Sequence, residues 1–151
     1  CVFVRAADVG KTGTELPDDL EQDAHFLARM EAIRSAAAAA MGIAPGPGVP
    51  KVAMVSAPQH APTLAGTLPA EAHDIAVRMI SVGQPHRAVP ITGVICLAVA
   101  ARIPGSIAPA LHGWPRSDPG RPCFWHHSGR CRGAGWPRAL WRSLSHCPPP
   151  V

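Results

Sequence analysis

The sequence predicts an α+β domain built around one buried helix, with a second, amphipathic helix and several short strands. Residues 93–101, GVICLAVAA, carry no polar face, and a helix that is apolar on every side must be buried on every side. The amphipathic helix is predicted at residues 23–41, where apolar side chains recur at steps of three and four. Short apolar or β-branched runs lie before and between these segments, and they indicate strands.

The first predicted strand covers residues 1–6, CVFVRA. A glycine-punctuated loop follows at residues 8–17, and its Gly10-Lys11-Thr12 invites comparison with a phosphate-binding loop. That motif requires another glycine five positions before Gly10, and this chain has Arg5 there. A plain loop is therefore the better interpretation of this segment.

Residues 23–41 are predicted to form the amphipathic helix. Acidic residues cluster at its start, where the helix dipole favours negative charge, and Gly42 is a natural stop. We interpret this helix as structural. Its predicted core-facing stripe consists of Phe26, Leu27, Met30, Ile33, Ala37 and Met41.

Two further strands are predicted at residues 51–56 (KVAMVS) and 74–81 (DIAVRMIS). In the second, alternation leaves one face less apolar, and that face displays Arg78. After a turn, the buried helix is predicted to begin with Thr92 as its N-cap and to stop at Pro104-Gly105. A helix of about ten residues is roughly 15 Å long, too short to span a bilayer, which needs ~20 residues.

The start of the buried helix is the place where chemistry is most plausible. A helix begins with N–H groups that have no acceptor within the helix, and with the positive end of its dipole. Arg78, Ser81, His86, Arg87 and Thr92 are predicted to lie beside it, so an anion such as a carboxylate would be bound favourably there. The alternative is that Thr92 only caps the helix, while the two arginines are solvated charges.

Residues 106–151 differ in composition from the rest of the chain. They hold all four Trp and six of the 14 Lys+Arg residues, against a single acid, Asp118. These arginines follow no regular element, so the basic balance does not indicate nucleic-acid binding. We predict a largely irregular tail over residues 108–151, for which a shifted reading frame in GC-rich coding DNA is one explanation. Resequencing of the gene tests that explanation.

The tail also allows a metal-binding interpretation. Its Cys-x2-His and His-x3-Cys steps are compatible with tetrahedral zinc, although the group matches no zinc-finger pattern. Zinc content after purification without chelators tests this alternative. The candidate ligands are Cys123, His126, His127 and Cys131, with His146 and Cys147 nearby.

Several motifs occur in a recognisable order along residues 1–107. They are FVRAAD at 3–8, TGTELP at 12–17, LAR and EAIR between 27 and 34, MG at 41–42, PKVA at 50–53, RM at 78–79, HRA at 86–88, TG at 92–93, CLA at 96–98 and AARIPG at 100–105. Together they resemble the PrpF family, which includes 2-methylaconitate isomerases and 4-oxalomesaconate tautomerases. The resemblance implies a diaminopimelate epimerase-like fold of two similar domains, each a mixed sheet wrapped around a central helix. Residues 1–107 would form part of the second domain.

The resemblance also implies a reaction. A base removes a proton next to a carboxylate or keto group, an acid returns it elsewhere, and no cofactor takes part. The family's acid and base, a lysine and a cysteine, belong to the first domain; Lys11, Lys51, Cys1 and Cys96 do not match their motifs, so no catalytic residue is assigned. What carries over is a contribution to binding a tricarboxylate substrate. The expected residues are Arg78, Met79, Ser81, His86, Arg87, Thr92 and Gly93.

Two classes of function therefore remain open. The chain is either a fragment of an isomerase, inactive alone, or a small non-enzymatic binding protein whose tail binds metal. The first residue is not Met and no signal peptide precedes the first strand, which suggests a segment of a longer, cytoplasmic protein. The isomerase interpretation involves no metal or cofactor, and no nucleic acid or membrane is expected as a partner. The intact protein is a candidate homo-oligomer, and the isolated chain is expected to fold only marginally.

Overall fold

The fold is known from a computed structural model of the chain. The structure describes residues 1–44, 46–63 and 66–111, together with the backbone of residues 123–126 and 129–132. Within these residues a mixed β-sheet carries helices on both faces, and the predicted α+β class is confirmed. No helix among them is long and apolar enough to cross a membrane.

Most of the strands belong to one main sheet. Its order is β1-β2-β5-β7-β8, with β6 also paired to β5, while β3 and β4 form a separate antiparallel pair. β1 is parallel to β2, β2 is antiparallel to β5, and β5 is parallel to β7. The strands are β1 Val2–Arg5, β2 Val52–Ser56, β3 Ala61–Thr63, β4 Gly66–Leu68, β5 Ile75–Ser81, β6 Gln84–Pro85, β7 Cys123–His126 and β8 Gly129–Arg132.

Four α-helices accompany the strands in the described part of the chain. They are α1 Pro17–Glu21, α2 Ala24–Ala40, α3 Ile91–Ala100 and α4 Ile107–Leu111. α3 and α4 pack on one face of the main sheet, which we call the α3 face, and α1 and α2 pack on the other, the α2 face. Since successive side chains of a strand point to opposite faces, each strand residue is assigned to one of these two environments.

α2 confirms the predicted amphipathic helix and corrects its buried stripe. Asp23 caps the helix, because its carboxylate accepts a hydrogen bond of 2.8 Å from the Phe26 N–H. The fully buried row is Phe26, Met30, Arg34 and Ala38, at steps of four, whereas Met41 is exposed. Arg34 is buried because its guanidinium donates to the Gly46 and Val49 carbonyls and to both Glu31 carboxylate oxygens.

α3 begins two residues earlier than predicted and is not buried on every side. Pro90 precedes its first turn and Thr92 is exposed within that turn, so Thr92 is not the N-cap. Leu97, Ala98 and Ala100 pack into the core on the α3 face. A second row is open to solvent, with Ile91 74%, Ile95 40% and Val99 39% exposed. The described strands thus cover one side of this helix. Its sequence is apolar throughout and therefore could not predict which side is buried.

Two strands lie inside the segment that was predicted to be irregular. β7 extends the main sheet beside β5, with Ile75 opposite Phe124 and Ala76 opposite Trp125, and β8 pairs with β7. The Cys-Phe-Trp-His run of β7 contains two aromatic residues, which favour strands, but its pairing partner lies about fifty positions earlier in the chain and is invisible to local patterns. The prediction of a largely irregular tail did not anticipate these strands or the helix α4 at Ile107–Leu111; the rest of the tail lies outside the described residues.

Candidate functional site

The candidate site lies where the end of β5 meets the start of α3. β5 is buried along its whole length, and alternation places Val77, Met79 and Ser81 on the α3 face. Val77 and Met79 pack there with α3, whereas Ile80 packs on the α2 face against Phe26 and Met30. The predicted site residues on β5 are therefore divided between two faces of the sheet.

Gly93 sets the distance between α3 and the sheet. An added Cβ at this position would lie 2.5 Å from the Met79 Sδ and Cε atoms and 3.4 Å from the Val89 side chain. Only glycine therefore allows the first turn of α3 to approach Met79 without a shift. The first hydrogen bond of the helix runs from Val94 N–H to the Pro90 carbonyl at 3.0 Å. The N–H groups of residues 91–93 precede that bond and have no acceptor within the helix.

His86 lies opposite Met79 at the end of β5. Its backbone N–H donates to the Met79 carbonyl at 2.8 Å, which continues the β5–β6 ladder and places its side chain on the α3 face beside Met79. The ring Nε2 is buried and has no hydrogen-bond partner among the described residues. Burial lowers the pKa of His86, and the positive charge of Lys51 lowers it further.

Lys51 and Ser81 complete this group. The Lys51 Nζ donates to the Ser81 Oγ at 3.2 Å, and Ser81 is buried. Sequence reasoning does not select Lys51, because its place here depends on the antiparallel pairing of β2 with β5, in which Val52 stands opposite Ile80. The available signals are that Lys51 directly precedes a strand and that it lies in the PKVA motif at residues 50–53.

Arg78 does not belong to this group. It was predicted on an exposed, less apolar face, but its side chain is 0% exposed and lies on the α2 face. Its Nε donates to the Glu15 carbonyl at 2.7 Å and its Nη1 to the Val77 carbonyl at 3.1 Å. Burial lowers the pKa of Arg78 to about 10, while the Glu15 carboxylate acts in the opposite direction. The loop before α1 covers this arginine, which is why a strand charge could become fully buried.

Arg87 is separated from the group in a different way. It is exposed, and its Nη2 lies 2.8 Å from an Asp18 carboxylate oxygen and 3.4 Å from a Glu21 carboxylate oxygen, both on α1. Of the seven predicted residues, Met79 and Gly93 are in contact, and Thr92 lies in the same turn as Gly93. Ser81 and His86 lie on the same face of the sheet as Met79. Arg78 and Arg87 contact the α1 region instead.

The Gly10-Lys11-Thr12 loop is occupied by a side chain of the protein itself. Glu15 accepts hydrogen bonds from the backbone N–H groups of Thr12 at 2.7 Å and Gly13 at 3.0 Å, and from the Thr12 hydroxyl at 2.9 Å. Burial alone would raise the pKa of Glu15, but these donors outweigh it and the pKa lies below its ordinary value of 4.5. The donors that a phosphate loop would offer to a ligand are thus used within the loop.

This arrangement predicts an acid-sensitive contribution to stability. Because the folded pKa of Glu15 is lowered, its contribution is complete above the ordinary pKa and is lost as the pH falls through the folded value. Glu15→Gln should therefore be less stable than the wild type at neutral pH and should show a flatter decline below pH 4.5. Urea unfolding at several pH values measures this. Glu71→Gln, at an exposed residue outside the loop, is the control; identical pH profiles for wild type and Glu15→Gln would contradict the prediction.

Candidate metal ligands and thiols add nothing to this site. Among the residues that the structure describes, no group of three or more His, Cys, Asp and Glu side chains could hold a metal ion. The proposed tail ligands of a metal lie in the part of the chain whose side chains are outside the description. Cys96 is half-buried within α3, which suits a small apolar core residue better than a reactive thiol.

Comparison with known proteins identifies the family. The family model described as PrpF protein matches residues 1–132. The chain belongs to the PrpF family. This match continues past residue 107, where the motifs of the sequence end, and includes β7 and β8.

Three relatives of the chain are named as isomerases. The chain is 36% identical over 139 residues to the 2-methyl-aconitate isomerase of Shewanella oneidensis, which covers 87% of this chain and 34% of that protein. It is 32% identical over 117 residues to the 3-methylitaconate isomerase of Eubacterium barkeri (71% and 31% covered). It is 34% identical over 110 residues to the (4E)-oxalomesaconate Delta-isomerase of a Novosphingobium species (72% and 28% covered).

A solved structure shows the same fold. The crystal structure of methylitaconate-delta-isomerase superposes with a TM-score of 0.81 at 28% identity, covering 86% of this PrpF-family chain and 36% of the other. The chain thus spans 28% to 36% of the length of these relatives. The predicted family and fold class are both confirmed.

Proposed function

We propose that this chain forms part of a cofactor-independent isomerase that moves a proton within unsaturated tricarboxylic acids, and that it supplies a surface for a substrate carboxylate. The relatives named for methylaconitate, methylitaconate and oxalomesaconate support the substrate class. The chain corresponds to about a third of such a protein, so the proposal gives it a binding role and no proton-transfer residue.

The observation that carries this proposal is the approach of the first turn of α3 to the end of β5. Gly93 packs directly on Met79, and His86 and Ser81 lie on the same face of the sheet. The N–H groups of that turn and its dipole favour a carboxylate. Removal of a proton next to a carboxylate spreads negative charge into it, so donors fixed in advance stabilise the transition state more than the ground state.

The roles within this surface follow from the geometry. Thr92 is exposed in the first turn and offers its hydroxyl and N–H. Gly93 contributes its N–H and permits close packing, and Met79 is the apolar support beneath it. His86 and Ser81 provide polar side chains beside the turn. Arg87 contributes to this surface only as a peripheral positive charge. Arg78 has no role in binding; it holds the loop at Glu15 against the α2 face of the sheet.

A chimera tests the function. The matched third of the Shewanella oneidensis 2-methyl-aconitate isomerase would be replaced by residues 1–132 of this chain, and isomerisation of 2-methylaconitate would be followed by proton NMR. We expect activity from the chimera and a loss of about tenfold or more in kcat/KM for His86→Ala. His25→Ala, an exposed histidine on α2, is the matched control and should have no effect.

Two outcomes would contradict the proposal. A folded chimera without isomerase activity would contradict the assignment of this chain to such an isomerase. Equal activity of the His86→Ala and His25→Ala chimeras would show that the surface lies elsewhere in the chain. The predictions of a cytoplasmic location and of a homo-oligomeric intact protein are separate from this experiment and stay predictions.

A further inference from the structure

Lys51 differs from two other half-buried or buried cations, Lys11 and Arg34, in its hydrogen-bond partner. Lys11 pairs with Asp23 at 2.7 Å, and Arg34 pairs with Glu31 at 2.6 Å. Among the residues that the structure describes, no carboxylate pairs with Lys51; its ammonium group donates to the neutral Ser81 hydroxyl. A half-buried ammonium group held only by a hydroxyl keeps most of its charge available to an incoming anion.

The surroundings of Lys51 increase that availability. Ser81 is buried and fixes the direction of the ammonium group. The positive charge of Lys51 acts on the His86 ring, whose Nε2 is buried without a hydrogen-bond partner in the described part of the chain. Both side chains lie on the α3 face, where the first turn of α3 packs on Met79. Two sources of positive potential, the Lys51 ammonium group and the start of α3, therefore lie on this face beside the neutral His86 ring. Among the described residues, no acidic side chain pairs with Lys51.

We propose that Lys51, positioned by Ser81, binds a carboxylate of the substrate beside His86. This inference rests on the proposed function, and it adds a cation to the substrate-binding residues expected from the sequence. A lysine ammonium has three donor hydrogens; one is used by Ser81, which leaves two for a carboxylate. A tricarboxylate carries several carboxylates on neighbouring carbons, so one can contact Lys51 while another lies at the α3 turn.

A purely structural role makes a different prediction. If Lys51 only joined the start of β2 to the end of β5, its removal would lower stability and leave anion binding unchanged. If Lys51 binds a carboxylate, its removal lowers affinity, and arginine, which keeps the charge, restores much of it. Affinity and stability measured on the same variants therefore separate the two roles.

The experiment uses the full 151-residue chain and tricarballylate, a saturated tricarboxylate that cannot isomerise. The His86 ring resonances are followed by NMR during titration with tricarballylate and, separately, with pH. For Lys51→Gln we expect a higher His86 pKa, because the lysine charge that lowers it is gone, and a loss of about tenfold or more in affinity. Lys51→Arg should bind within about threefold of the wild type. Lys11→Gln, whose lysine pairs with Asp23, should behave as the wild type.

Two results would overturn the inference. They are Lys51→Gln binding within about twofold of the wild type, or no saturable shift of the His86 resonances at millimolar tricarballylate. The proposed function fails separately, through an inactive chimera. An active chimera, together with unchanged affinity of Lys51→Gln for tricarballylate, would contradict only the role of Lys51. An inactive chimera, together with tricarballylate binding that depends on Lys51, would contradict only the isomerase assignment.

Discussion

Gly13→Ala is expected to lower the free energy of unfolding by about 3 kcal/mol or more. Gly13 has a φ of +90°, a conformation that side-chain-bearing residues rarely adopt. An added Cβ would also overlap the Ser56 Oγ, and it would lie 2.8 Å from the Ser56 Cβ and 3.2 Å from the Ala6 Cβ. Ala6 is fully buried at the end of β1, so it cannot move aside without disturbing the core.

Gly10→Ala is the matched control in the same loop. Gly10 also has a positive φ, +74°, but nothing lies within 4 Å of an added Cβ. It should therefore cost only the backbone penalty, about 1 kcal/mol. Urea unfolding of both variants at neutral pH measures the difference. An equal decrease in the free energy of unfolding for the two variants would show that Gly13 does not pack closely against Ser56 of β2.

Arg78→Ala is expected to have a comparable effect, a loss of about 3 kcal/mol or more. The side chain is fully buried, so truncation leaves a cavity on the α2 face. It also leaves the Glu15 carbonyl without the donor that approaches it at 2.7 Å. The loop that holds Glu15 would then lose one of its attachments to the sheet, and α1 follows directly after that loop.

Arg78→Met separates the volume of this side chain from its charge. Methionine fills much of the same space and removes the cost of burying a charge, which is the cost that lowers the pKa of Arg78. We expect the methionine variant to lose about 1–2 kcal/mol, clearly less than alanine. Thermal and urea unfolding give the comparison. Wild-type stability of Arg78→Ala would contradict the packing of this arginine under the loop.

Local periodicity was sufficient to predict α2 and β5. The apolar steps of three and four, the acids at the start and the following glycine predict α2 within one residue at each end. The alternation at residues 74–81 predicts β5. Both signals are local, because each compares the polarity of residues that lie within a few positions of one another in the sequence.

Environments created by distant parts of the chain could not be predicted in this way. Arg34 and Arg78 are buried because backbone carbonyls of loops 12 to 63 positions away accept their hydrogen bonds. Lys51 reaches Ser81 because two strands thirty positions apart are paired. The exposed row of α3 could not be predicted for the same reason. The helix is apolar throughout, so its sequence does not indicate which side the described sheet leaves exposed.

The central claim is that the first turn of α3 binds a carboxylate, and backbone NMR of the full chain tests it most directly. During titration with tricarballylate, the amide resonances of Thr92 and Gly93 should show the largest saturable shifts, because their N–H groups precede the first hydrogen bond of the helix. The amide resonances of Thr12 and Gly13 should not shift, because these N–H groups already donate to the Glu15 carboxylate. Saturable shifts at that loop, with Thr92 and Gly93 unchanged, would contradict the account.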